Sequence, residues 1–236
     1  MPHQLNIDIK GFIESSFLDW PGQVASVIFL AGCNFRCPFC HNHGLVLAPH
    51  EFPSIDWETI KARLSKFTGW IDGVVISGGE PTLTRDLPGF IREIREAGFK
   101  VKLDTNGSRP EIVSSLLDQN LLDHVAMDVK SVLHEIPYAR AAGRSGFLEK
   151  VKESLTLLRE SGVPYTLRTT VVPGLHTEDD IMELAGQLCG VSDWVLQHFK
   201  PENALDSEFR NLTPMDQGEF EELDRKAHQI FYQKTA

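Results

Sequence analysis

From about residue 24 onward, apolar positions follow two alternating patterns: short continuous runs, and stripes spaced three and four apart. The first run, residues 24–30 (VASVIFL), suits a parallel strand covered on both faces. Asp56 then precedes Trp57, Ile60, Leu64 and Phe67, which predicts a capped amphipathic helix. Residues 73–77 predict a second strand, and Leu87, Phe90, Ile91 and Ile94 a helix ended by Gly98. The third strand falls at 99–104, with Pro110 opening a helix that carries Ile112, Val113, Leu116 and Leu117. The fourth, at 124–129, leads through an irregular Arg-containing stretch to the stripe Phe147, Val151, Leu155 and Leu158. The fifth, at 165–172, ends at Pro173-Gly174, and Thr177 with Asp180 forms a capping box before Ile181, Leu184, Ala185 and Leu188. After the sixth, at 194–199, Thr213-Pro214 is expected to open the last helix, with Phe220, Leu223, Ala227, Ile230 and Phe231 facing inward.

Six strand–helix units predict an α/β fold with a parallel sheet. Six strands are too few for the usual eight-stranded closure, so the expected architecture is an open, partial (β/α)6 barrel. One domain is expected over residues 1–236, with 1–23 an N-terminal extension packing beside the first strand or across the open end.

Composition narrows the chemistry. The 236 residues are 42% hydrophobic and carry a formal charge of −10, which argues against nucleic acid or an anionic membrane as partner, because both need clustered Lys and Arg. No apolar run reaches membrane-spanning length and the start lacks a signal-peptide layout, so a soluble, cytoplasmic chain is expected. Of the four cysteines, Cys33, Cys37 and Cys40 fall within eight residues. Cys189, at the end of a helical stripe, is expected to be a buried packing residue.

Reactive groups in such folds gather where parallel strands end. Here the triplet Cys33, Cys37 and Cys40 follows the first strand, Gly78-Gly79-Glu80-Pro81 the second, and Asp104-Thr105-Asn106-Gly107 the third. Asp128 and Lys130 belong to the fourth, Arg168 to the fifth, and Gln197, His198 and Lys200 to the sixth. All are expected to point into one mouth. Three thiolates on a short loop suit an iron–sulfur cluster or another soft metal, whereas a structural zinc site wants a fourth ligand, for which His41, His43 or Cys189 would have to serve.

The motif C-x3-C-x2-C after the first strand, with Gly78-Gly79-Glu80-Pro81 after the second, resembles the radical S-adenosylmethionine (SAM) superfamily across nearly the whole chain. Cys40-His41-Asn42, Leu103-Asp104-Thr105-Asn106-Gly107 and Met127-Asp128-Val129-Lys130 are similar to the glycyl-radical-enzyme activases. The opening Ser16-Phe17-Leu18-Asp19-Trp20-Pro21-Gly22 looks most like the activases of anaerobic ribonucleoside-triphosphate reductase. It departs from the group's Asp-Gly-Pro-Gly at Trp20, which leaves the partner's identity open. The resemblance implies that Cys33, Cys37 and Cys40 hold three irons of a [4Fe–4S] cluster whose fourth iron takes SAM. It implies that Gly78, Gly79 and Glu80 lie against the SAM methionine, and that Asp104, Asp128 and Lys130 line its far side. Asn42, Arg168 and His198 match further positions near SAM, and in some activases the positions of Asp104, Thr105 and Asp128 help bind a monovalent cation. The implied reaction is reductive SAM cleavage, fed by a one-electron donor such as flavodoxin or ferredoxin, with a glycyl radical formed on a partner enzyme.

Plainer uses compete with these. Gly78-Gly79 can simply turn the chain, and Asp104 or Asn106 can form an Asx turn. Asp128 and Lys130 can be a solvated pair, and Arg168 an outward strand position. His41, His50, His124, His134, His176 and His228 carry no assignment. The alternative functions are an activase of pyruvate formate-lyase or of another glycyl radical enzyme, a small-molecule radical SAM enzyme such as a deazapurine synthase, and a zinc-stabilised binding module. A nucleotide-binding protein is disfavoured, since neither a P-loop nor G-x-G-x-x-G is present. Four cysteines leave no ligands for an auxiliary cluster, and six βα units leave no room for a separate lid domain.

Overall fold

The computed structural model describes residues 5–233. The ends of the expected domain, residues 1–4 and 234–236, lie outside the described residues. One seven-stranded sheet holds β1 (Ile9–Ser16), β2 (Ala25–Leu30), β3 (Gly73–Gly78), β4 (Lys100–Thr105), β5 (His124–Asp128), β6 (Tyr165–Val171) and β7 (Trp194–His198) in that spatial order. β2 to β7 run parallel, as their apolar runs predict, and β1 adds to β2 antiparallel. The helices are α1 (His43–Leu47), α2 (Trp57–Leu64), α3 (Leu87–Glu96), α4 (Pro110–Asp118), α5 (Glu135–Ala142), α6 (Leu148–Ser161), α7 (Glu178–Gln187), α8 (Ser207–Arg210) and α9 (Gln217–Gln233).

Strand alternation divides each strand between two environments. One face carries Ile28, Leu30, Val74, Ile76, Val101, Leu103, Val125, Met127, Leu167, Trp194 and Leu196, which join the main core with buried helix residues such as Phe90, Leu116, Leu155 and Leu184. The opposite, inner face carries only a small apolar cluster, Ala25, Val27 and Val75 with Phe29 beside it, capped by the buried Trp20. Toward the C-terminal ends of the strands this face is polar, with Ser77, Lys102, Asp104, Asp128, Arg168 and Gln197. Residues of β2 and β7, from opposite flanks of the sheet, line one cavity, so the sheet is curled into an incomplete barrel.

Trp20 explains the departure in the opening motif. Its indole fills the inner face where Gly73 offers no side chain, and a Cβ at Gly73 would stand 2.6 Å from the indole and 2.8 Å from the Lys100 carbonyl. The turn before it is locked by Ser16 Oγ, which accepts from the Leu18 and Asp19 amides and donates to the Asp19 carboxylate.

Two helix expectations need correction. The Arg-containing stretch after β5 is not wholly irregular but holds α5, whose buried face of Tyr138, Ala141 and Ala142 is too small and too short to read as a stripe. The last helix starts at Gln217 rather than at Thr213-Pro214, because Asp216 takes over the capping: its side chain accepts from the Gly218 amide and its carbonyl from the Phe220 amide.

Candidate active site

The cysteine loop follows β2 and is fixed from several sides. Phe35 and Phe39 are buried as anchors between the cysteines, and Phe35 meets Phe147 edge-on at 5.1 Å. Later segments fasten it: the Arg36 amide donates to the Ala142 carbonyl at the end of α5, the Asp206 amide to the Pro38 carbonyl, and His41 Nε2 bonds the Lys200 carbonyl. The Cys40 amide donates to the Cys37 carbonyl at 3.0 Å, closing the turn that carries both thiols.

Cys33, Cys37 and Cys40 all line one cavity of about 440 Å³. Burial pushes the Cys33 thiol up to about 11 and the Cys37 thiol up to about 12, and raises Cys40 as well; Lys130 opposes the rise at each. The thiols therefore stay protonated near neutrality unless a strongly bound electrophilic centre takes up the thiolates. Among the described residues no three His, Cys, Asp or Glu side chains are arranged to hold a single metal ion.

The loop after β3 forms the second wall. Gly79 lies so close to the cysteine loop that a Cβ there would stand 1.8 Å from the Gly32 carbonyl oxygen. The contact is stitched by the Gly79 amide donating to the Leu30 carbonyl at 2.9 Å and the Glu80 amide to the Gly32 carbonyl at 2.7 Å. Asn42 reaches across to donate from Nδ2 to the Gly78 carbonyl at 2.8 Å. Glu80, 1% exposed, accepts from the Thr82 amide and hydroxyl and from the Thr105 hydroxyl on one oxygen, and from the Asn106 amide at 2.6 Å on the other. Burial pushes its carboxyl up against these four donors, and only the second oxygen keeps capacity for a ligand.

An ionic chain forms the third wall. Lys102 Nζ donates to Asp104 Oδ1 at 2.5 Å, Arg168 donates to Asp104 Oδ2 at 3.2 Å and to Asp128 Oδ1 at 2.8 Å, and Lys130 Nζ donates to Asp128 Oδ2 at 2.9 Å. Burial alone would raise the Asp128 carboxyl, yet Arg168 and Lys130 hold it well below the usual carboxylate range. Lys130 and Arg168 stay firmly protonated: burial works against their charge, and Asp128 for Lys130, with Asp104 and Asp128 for Arg168, outweighs it. Three cations against two carboxylates leave the wall net positive beside the cysteines. The backbone of Lys130 is itself held, its amide by Tyr138 Oη at 3.5 Å and its carbonyl by His176 Nε2 at 2.9 Å.

Of the residues singled out from sequence, the structure brings Cys33, Cys37, Cys40, Asn42, Gly78, Gly79, Glu80, Asp104, Asp128, Lys130 and Arg168 to this cavity. His198 does not line it. On β7 it shares the outward face of Trp194 and Leu196, donates from Nε2 to the Met215 carbonyl and packs edge-on against Phe220, while the neighbouring Gln197 faces the cavity. Cys189 also stays away from the cavity, and it is half-buried rather than buried. Ser77, Thr170 and Phe29 line the cavity although no motif marked them, and Asp19 of the opening motif lines it too. The strand period counted along β6 from Arg168 would have found Thr170, whereas Ser77 is placed by its neighbour across the sheet, donating to Asp104 at 3.1 Å.

Similarity to known proteins agrees with this geometry. The Radical SAM superfamily profile matches residues 27–188. A protein of Methanocaldococcus jannaschii named as a candidate glycyl-radical enzyme activating enzyme is 34% identical over 223 residues, 93% of this chain and 91% of the relative. A 7-carboxy-7-deazaguanine synthase of Thermococcus kodakarensis is 27% identical over 215 residues, covering 78% of this chain and 82% of that one. Among solved structures, SuiB of Streptococcus suis bound to its precursor peptide SuiA superposes with a TM-score of 0.69 at 16% identity, over 89% of this chain and 46% of SuiB, so the chain spans about half that protein's length and the likeness is one of fold. With the profile spanning the cysteine loop and the strand ends that face it, the chain belongs to the radical SAM superfamily.

Proposed function

We propose that the chain, acting as one domain over residues 1–236, is a radical SAM activase that forms a glycyl radical on a partner enzyme. The observation that carries the cofactor assignment is the gathering of Cys33, Cys37 and Cys40 on one wall of a cavity whose other walls bear Glu80 and the Lys102–Asp104–Arg168–Asp128–Lys130 chain. The donor set fits a [4Fe–4S] cluster: three sulfur donors, no fourth cysteine at the cavity, and surplus positive charge to offset bound thiolates. Such a cluster with SAM bound supplies one-electron cleavage of the sulfonium and hence a carbon radical that abstracts hydrogen.

The protein's own groups orient and insulate. Cys33, Cys37 and Cys40 hold the cluster. Glu80 Oε2, which accepts one protein hydrogen bond where Oε1 accepts three, and the Gly78-Gly79 backbone would receive the amino-acid end of SAM, and Lys130 with Arg168 would face its carboxylate. Asn42 keeps the Gly78 carbonyl in place. A monovalent cation stays outside the proposal, because Asp104 and Asp128 are each already paired with two protein cations.

A protein substrate is supported by the 34% identity to the candidate activating enzyme over nearly its full length. It is also supported by the rim of the cavity. Next to Asp19, which lines the cavity, the turn presents Phe17 and Leu18 at 75% and 91% exposure, an apolar surface suited to a polypeptide rather than to a metabolite. The partner we favour is anaerobic ribonucleoside-triphosphate reductase, with a small one-electron donor protein such as flavodoxin or ferredoxin as reductant.

The test is anaerobic reconstitution followed by electron paramagnetic resonance (EPR), first with SAM and reductant and then with co-expressed candidate partners. A cluster signal perturbed by SAM, and a glycyl radical in the partner, is expected. Stoichiometric turnover of a purine-like metabolite without any partner would replace the activase reading with the synthase one. Zinc without iron or sulfide would defeat both.

A further inference from the structure

We propose that Asn106 is a positioning residue for the cluster: its side-chain amide donates to the Cys33 sulfur and ties that sulfur to the Glu80 carboxylate. The geometry leaves the amide little choice. Asn106 Oδ1 accepts from the Ser108 amide at 2.9 Å, a group that can only donate, so Nδ2 must face the other way. There it meets two acceptors, Asn34 Oδ1 at 3.0 Å and Cys33 Sγ at 3.8 Å, one for each of its hydrogens. Asn34 is fixed in turn, since its own Nδ2 donates to Ser108 Oγ at 2.7 Å. The Asn106 amide nitrogen donates to Glu80 Oε2 at 2.6 Å, so one buried residue bonds both the sulfur wall and the oxygen left for a ligand.

Cys33 is singled out by this arrangement. Its sulfur accepts two N–H donors, from Phe35 at 3.3 Å and from Asn106, whereas the Cys37 thiol is directed at the Ala142 carbonyl, an acceptor. Hydrogen bonds to cluster sulfurs stabilise the more electron-rich state and raise the reduction potential. Asn106 therefore keeps the bound cluster easier to reduce than its buried site alone would allow. It also makes the Cys33 corner sensitive to what occupies Glu80.

This rests on the cluster assignment above, and the experiment separates the two. The wild type and the variants Asn106→Asp and Asn106→Ser are reconstituted anaerobically and titrated by EPR-monitored reduction, with iron and sulfide counted and melting followed. Asp and Ser can both accept from the Ser108 amide and so keep the turn, but neither can donate from Nδ2 to sulfur. Both potentials should move to more negative values, Asp further because it places a negative charge beside the thiolate. Adding SAM should shift the wild-type potential more than that of the Ser variant. Should the Asp variant take up no cluster, the Ser variant carries the comparison. Potentials equal to wild type, even with lower melting temperature or iron content, would reduce Asn106 to a turn former and overturn the proposal. A wild type that binds no cluster at all would instead overturn the assignment beneath it.

Discussion

Replacing Arg168 by Met removes the cation shared by Asp104 and Asp128 while keeping much of its hydrocarbon. The two contacts measure 3.2 Å and 2.8 Å, and the three side chains keep only 21%, 11% and 28% exposure, so the pair is closer to a buried ion pair than to a surface one. A charge-assisted hydrogen bond contributes about 1.5–3 kcal/mol, with the longer contact toward the low end. Breaking a buried pair costs about 3–5 kcal/mol when a charge is left alone. Lys102 and Lys130 stay bonded to the far oxygens, so neither carboxylate is left wholly unpaired, which puts the loss near ~3 kcal/mol. In a chain of this size that lowers Tm by about 6–12 °C. Melting of Arg168→Met, Asp128→Asn and the double variant closes a cycle, with an expected coupling of about 1–2 kcal/mol. The pH profile carries the same sign. Since the Asp128 carboxyl is held below its ordinary value, its contribution is complete above about pH 4 and drains as pH falls through the native value. The Met variant should therefore lose less stability on acidification than wild type. Single-variant losses that add to the double within about 0.5 kcal/mol, with parallel acid limbs, would refute a guanidinium bridge.

Gly79→Ala should cost at least ~2 kcal/mol, because separating the new Cβ from the Gly32 oxygen, 1.8 Å away, breaks both stitching hydrogen bonds; an unchanged Tm would mean that the two loops do not touch. Glu80→Ala leaves four buried donors without an acceptor, so the variant should lose about 3 kcal/mol of stability as well as SAM affinity, and retained stability by urea titration would confine Glu80 to ligand binding. His176 accepts from the Val172 amide on Nδ1 and donates from Nε2 to the Lys130 carbonyl, and burial holds its pKa below 6.5. Its stabilisation is thus full above pH 6.5 and fades as pH falls toward the native value, a slope that Tm measurements should find weaker in His176→Leu. Cys37→Ala should abolish both bound cluster and SAM cleavage, and cleavage retained by product analysis would remove Cys37 from the ligand set.

Much of this site was legible because β2 and β3, buried on both faces, read as nearly continuous apolar runs that end where the chain turns polar, while β4 and β6 alternate apolar and polar positions. Thus 73–77 in the sequence becomes Gly73–Gly78 in the fold, and Gly-Gly-Glu lands at the cavity. Where one face meets solvent or the repeat is short, the signal fails. The edge strand β1 mixes charged and apolar residues without a clean period, and α5 presents mainly alanines. His198 fails for another reason: on β7 a one-residue difference selects the face, and nothing local says which of Gln197 and His198 looks inward. The register with β6 decides it, pairing Gln197 with the cavity residue Thr170. His176 and Tyr138 were illegible as site residues because they act through the backbone of Lys130, a relation no spacing encodes.

The same alternation that hides His198 also explains how one sheet can be both stable and reactive. The outer face supplies the apolar burial, with Trp194, Ile28, Ile76 and Leu103 fully covered, so the inner face need not contribute hydrophobic stability. It can hold five charged side chains because they pair in sequence from Lys102 to Lys130, each carboxylate meeting two cations and one positive charge left over for the thiolates. Each member of that chain is bonded to its neighbour, so the inner face presents fixed charges at the cavity, the preorganisation that the proposed chemistry would draw on. The apolar floor made by Trp20 over Ala25, Val27 and Val75 closes the inner face from below, and the same turn carries Asp19 into the cavity's lining and leaves the adjacent Phe17 and Leu18 exposed to solvent.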